Sequence, residues 1–114
     1  MLSSLLVGIV ALLQAYFLIV EMFLWETPKV RRAFGFTEEF AKQTASLAKN
    51  QGLYNGFLSA GLIWGLYADS FSFKVFFLIC VLIAGLYGAA TANRRILFAQ
   101  ALPALIALVS LRGA

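Results

Sequence analysis

The feature that most restricts this chain is an apolar run from Leu2 to about Leu24, broken only by Gln14 and Glu21. As a helix it would be about 34 Å long, enough to cross a hydrocarbon core of about 30 Å. Met1-Leu2-Ser3-Ser4 carries no basic leader and the run outlasts an ordinary signal core, so it reads as a first membrane helix rather than a cleaved segment. Three shorter runs follow, at about 52–68, 73–92 and 96–111, separated by the turn signals Ala68-Asp69-Ser70 and Asn93-Arg94-Arg95. With 62% hydrophobic residues and a mean hydropathy of +0.90, the 114 residues hold more apolar surface than a soluble domain of this size buries. The expected fold is all-α: one transmembrane domain over 1–114, a four-helix bundle with a lipid bilayer as its solvent.

The charges agree with that reading. The net charge of +4 is carried by short segments between the runs, which points to membrane topology and not to nucleic acid. Lys29, Arg31, Arg32, Lys42 and Lys49 lie between runs one and two, Arg94 and Arg95 between three and four, and only Lys74 and Arg112 on the opposite face. Positive charge favours the cytoplasmic side, so these two loops are placed in the cytoplasm and both termini outside. Trp25 at one boundary, with Trp64 and Tyr67 at the other, suits interfacial aromatic belts.

Local signals divide the first loop. Thr27 is a cap, Pro28 suits a first helical position and Gly35 an exit, which predicts a short helix over 28–34. Thr37 followed by Glu38 and Glu39 predicts a second start, and Phe40, Thr44 and Leu47 then share one face, giving an amphipathic interfacial helix over 38–49. Run four is short, about 24 Å as a straight helix, and Pro103 is expected to kink it by removing the bond to the Ala99 carbonyl. Gly52/Gly56, Gly61/Gly65 and Ala84/Gly88 are spaced for close helix approach, either inside one bundle or at a seam between copies.

Many site chemistries are absent. There is no histidine and a single cysteine, Cys80, so no intrachain disulfide forms and no metal site or cofactor is expected. No phosphate-binding loop, dinucleotide fingerprint or Cys-x-x-Cys occurs, and nothing marks the chain positively as an enzyme. What remains is a polar layer: Glu21, Asn55, Thr91 and Gln100, from four runs, fall about 4 to 8 Å inside the cytoplasmic boundary. An acidic group there wants a cation, and Arg94 or Arg95 is the expected partner of Glu21. Gln14, Tyr16, Asn50, Gln51, Tyr54 and Tyr87 complete the candidate ligand-binding set. Polar residues do not line a whole span, so a pore is not indicated; a pocket with apolar depth and a polar mouth is.

Taken together, Tyr16, Glu21, the stretch Asn50-Gln51-Gly52-Leu53-Tyr54-Asn55-Gly56, the stretch Ala84-Gly85-Leu86-Tyr87-Gly88-Ala89-Ala90-Thr91 and Gln100-Ala101-Leu102-Pro103-Ala104 resemble the small bacterial integral membrane family catalogued as domain of unknown function 1304. The resemblance covers nearly the whole chain and implies a four-span inner-membrane protein without an assigned activity. Members often carry a Glu-His pair in span one where this chain has Leu13-Gln14. Three functions fit these residues: binding or transport of a small amphipathic molecule with Glu21 at the mouth, a membrane-embedded enzyme on a lipid-like substrate with Glu21 as acid or base, or an accessory subunit docking through its glycine faces and loop helices.

Overall fold

A computed structural model describes residues 1–91 and 97–112. Every regular element among them is helical: α1 (Leu2–Phe23), α2 (Pro28–Phe34), α3 (Glu38–Tyr67), α4 (Phe71–Thr91), a π-helical turn (Leu97–Ala101) and α5 (Leu102–Arg112). Two of them, α1 and α4, are long and apolar enough to cross a bilayer, while Phe98–Arg112 is apolar but shorter.

The first apolar run is helical to Phe23, where Trp25, Glu26, Thr27 and Pro28 turn the chain. Pro28 cannot donate to a continuing helix, and Thr27 accepts from the Val30 amide to start α2 instead. Seven residues later Gly35, at φ 74°, takes the left-handed conformation that ends α2 at no steric cost.

The segments 38–49 and 52–68, expected as an interfacial helix and a separate span, are joined. They form one 30-residue helix, α3, about 45 Å long. Nothing in Asn50-Gln51-Gly52 forces a break: there is no proline, and one interior glycine costs only about 1 kcal/mol. The buried face of α3 also runs through this point without interruption, as Ala41, Ala48, Gly52, Asn55, Ser59 and Leu62, at helical spacing. Small residues take the inside of that face, while Phe40 and Leu47 are exposed.

The chain forms two compact units, Gln14–Phe57 and the combination of Met1–Leu13 with Leu58–Ala114; α1 and α3 contribute to both. The second of these has a core of Val7, Val10, Ala11, Leu62, Leu78, Val81, Ala104, Ala107 and Leu111. Its α3–α4 turn is a tight one. Asp69 adopts φ 50°, Ser70 Oγ accepts from the Phe73 amide, and Lys74, buried along its stem, reaches Asp69 with its ammonium at 3.2 Å. Its α4–α5 packing depends on Gly85, where an added Cβ would lie 2.6 Å from the Ala101 backbone nitrogen. Run four departs from a simple kinked α-helix: the π-helical turn precedes Pro103, which then sits at the second position of α5.

In the unit Gln14–Phe57 the loop is tied down by aromatic rings. Trp25 lies 4.9 Å from Phe36 and 5.9 Å from Phe34, and Phe36 lies 4.9 Å from Phe40, centroid to centroid. The Trp25 indole N–H donates to Thr44 Oγ1 at 3.0 Å, fixing the turn after α1 to the first part of α3.

Candidate functional site

The chemistry-bearing centre of the unit Gln14–Phe57 is a pair of side chains on α1 and α3. Asn55 Nδ2 donates to Glu21 Oε1 at 2.5 Å, with Asn55 buried and Glu21 half-buried. The helices come this close because Gly52, one turn before Asn55, has no side chain: a Cβ there would lie 2.6 Å from Met22 Cγ, 3.1 Å from Glu21 Cβ and 3.2 Å from the Leu18 carbonyl. Gly56 gives the same relief to the Leu18 side chain. The second Glu21 oxygen and the Asn55 carbonyl oxygen have no partner among the described residues, so the pair presents two acceptors.

The other candidates differ in burial. Gln14 is fully buried in the same unit. Tyr16, Asn50, Gln51 and Tyr54 are exposed, Tyr54 meeting Phe57 edge-on at 5.6 Å. Tyr87 and Thr91, on α4, are exposed too, and the Thr91 hydroxyl donates to the Tyr87 carbonyl of its own helix at 2.7 Å. Gln100 is half-buried in the π-helical turn. Arg94 and Arg95, the expected partners of Glu21, lie outside the described residues. Among the described residues the partner of Glu21 is the Asn55 amide. Gly61 and Gly65 likewise meet their own chain, at the Phe77 ring and the Lys74 stem.

One open cavity of about 390 Å³ borders this unit's turn, lined by Met22, Phe23, Trp25, Glu26, Thr27, Ala45 and Lys49. Glu21 is not on its wall, so the carboxyl–amide pair and the cavity are separate features. A second, smaller and wholly apolar hollow of about 150 Å³ is lined by Leu82, Leu86, Phe98, Ala101, Leu102 and Leu105. Sequence reasoning does not nominate Glu26 or Lys49, because each is an ordinary charge beside an apolar run; only the turn after α1 brings both to one cavity. The Lys74–Asp69 pair escapes it for the same reason.

Comparison with known proteins adds a family. The chain matches, over residues 8–112, the family described as "Protein of unknown function (DUF1304)". It is similar to an "Uncharacterized protein YpaA" of Lactococcus lactis subsp. lactis (strain IL1403), with 32% identity over 106 residues that cover 90% of this chain and 89% of that protein. No solved structure matches it. With almost its whole length accounted for by the family match, this all-helical chain belongs to the DUF1304 family.

Proposed function

We propose that this chain is a multi-pass protein of the bacterial inner membrane, a four-span bundle with both termini outside, that binds or transports a small amphipathic molecule at the Glu21–Asn55 pair. Its membrane setting is supported by an exposed stripe that runs the length of α1: Leu2, Leu5, Ile9, Leu12, Tyr16, Ile19 and Phe23, at alternating steps of three and four. On α4, Phe73, Phe76, Ile79, Ile83 and Leu86 form a similar exposed stripe, at steps of three or four. In water such stripes would be large adhesive patches; against acyl chains they cost nothing comparable.

The observation that carries the binding role is the pair itself. A carboxyl group within a membrane helix is expensive and is usually functional. Here it accepts one hydrogen bond from the Asn55 amide, and the pair keeps two acceptors for a ligand bearing donors or positive charge, while the nearby Leu18 and Met22 side chains suit an apolar body. Native mass spectrometry of the protein released from nanodiscs made with its host's lipids is expected to show a retained small molecule, lost in Glu21→Gln at unchanged helicity. A wild-type protein that carries no such mass, together with unchanged transport of amphipathic amines by Glu21→Gln in vesicles, overturns the reading.

A further inference from the structure

We propose that the open cavity at the C-terminal end of α1 seats the headgroup of a zwitterionic, amine-bearing phospholipid, with Lys49 holding its phosphate and Glu26 its ammonium. The inference rests on α1 lying in a bilayer, and not on the Glu21–Asn55 site.

Two opposite charges line this cavity without joining. Glu26, in the turn between α1 and α2, and Lys49, on α3, are both on its wall, yet neither side chain has an ion-pair or hydrogen-bond partner among the described residues. A cavity with one positive and one negative wall complements a ligand that carries both signs and disfavours either alone. An anionic headgroup would meet the Glu26 carboxylate with nothing to offset it, and a purely cationic amphiphile would meet the Lys49 ammonium.

The placement of the signs is fixed by the backbone. Arg31 Nε donates to the Glu26 carbonyl at 3.2 Å, which ties the turn to α2. The last turn of α1 contains no basic residue, so the negative end of its dipole is left for an incoming cation on the same side as Glu26. Trp25, locked by its bond to Thr44 and by Phe34 and Phe36, adds an aromatic wall beside that position, which suits an ammonium. Met22 and Phe23 close the remaining wall with apolar surface, which favours a headgroup still attached to its acyl chains over a soluble amine phosphate.

The test uses the full-length protein in detergent, offered equimolar phosphatidylethanolamine and phosphatidylglycerol and read by native mass spectrometry. Wild type is expected to retain the zwitterionic lipid over the anionic one by about tenfold, a difference of about 1.4 kcal/mol. Glu26→Gln is expected to bring that ratio close to one, Glu26→Lys to invert it, and Lys49→Gln to weaken both lipids together. Both positions of change are exposed, so folding is expected to survive, and an unchanged gel-filtration profile checks this. Equal retention of both lipids by wild type, or a ratio unmoved by Glu26→Gln, overturns the proposal; displacement of the lipid by free phosphoethanolamine overturns the lipid as occupant. Either result leaves the Glu21 site standing, because that site is scored on a retained small molecule and not on a lipid ratio.

Discussion

The two compact units of this chain are built from different materials. The unit that includes Leu58–Ala114 is filled by branched aliphatic side chains, Val7, Val10, Leu62, Leu78 and Val81, with Ser59 Oγ donating to the Ala11 carbonyl at 2.8 Å. The unit Gln14–Phe57 buries Ala41, Ala48 and Gly52 beside Gln14 and Asn55, and it holds both the carboxyl–amide pair and the charged cavity. The contrast places the aliphatic packing in the first and the carboxyl–amide pair in the second, which is where the proposed ligand chemistry would lie. Apolar shape complementarity gives stability at no chemical cost, whereas polar groups kept among helices are tolerated where they do something.

That division is open to direct attack. The largest effect is expected from Leu78→Ala, which empties a fully buried site in the aliphatic unit: about 2 to 4 kcal/mol of stability lost, read by unfolding in mixed micelles, with ligand retention per folded molecule unchanged. A retention defect in the folded fraction would break the division. Gly85→Ala comes next, at about 1 to 3 kcal/mol, because its Cβ would press on the Ala101 backbone, which cannot step aside; Gly52→Ala presses first on Met22 Cγ, which a turn of that side chain can relieve, and next on Glu21 Cβ and the Leu18 carbonyl, so it is expected to cost less stability while separating Glu21 from Asn55 and reducing retention. The reverse pattern would show that the polar unit is the one that sets stability. The smallest effect belongs to Thr27→Ala, which removes the cap of α2 for about 1 kcal/mol and is expected to loosen hydrogen-exchange protection over 28–36 alone.

Much of this was legible from residues because it depends on local chemistry. Thr27, Pro28 and Gly35 bound α2 by capping rules that operate within a single turn. The apolar runs of α1 and α4 needed only length and composition to be recognised as helices able to span a bilayer. Glu21 and Asn55 stood out as polar groups in apolar runs, but their pairing with each other required the α1–α3 approach that Gly52 permits, a three-dimensional fact. Gly52 shows why the rest was hidden. In sequence it reads equally as the place where a helix starts and as a contact point between helices, and only the neighbours at Met22 and Leu18 decide for the second. Glu26 and Lys49 gave no signal at all, since a charge next to a span is read as a topology marker until a cavity is seen between two of them.

The π-helical turn at Leu97–Ala101 has a consequence for how this chain tolerates change in length. Such a turn holds one residue more than the α-helical path of α5, which follows it, would need. Removing Ala99 would therefore let the ladder tighten to ordinary α-helix while Ala104, Ala107 and Leu111 stay pointed inward, whereas removing one residue from the middle of α4 would swing everything on one side of the gap by about 100° and expose Leu78 or Val81. The segment is a built-in allowance for a single-residue deletion, at the one helix whose proline already interrupts its bonding.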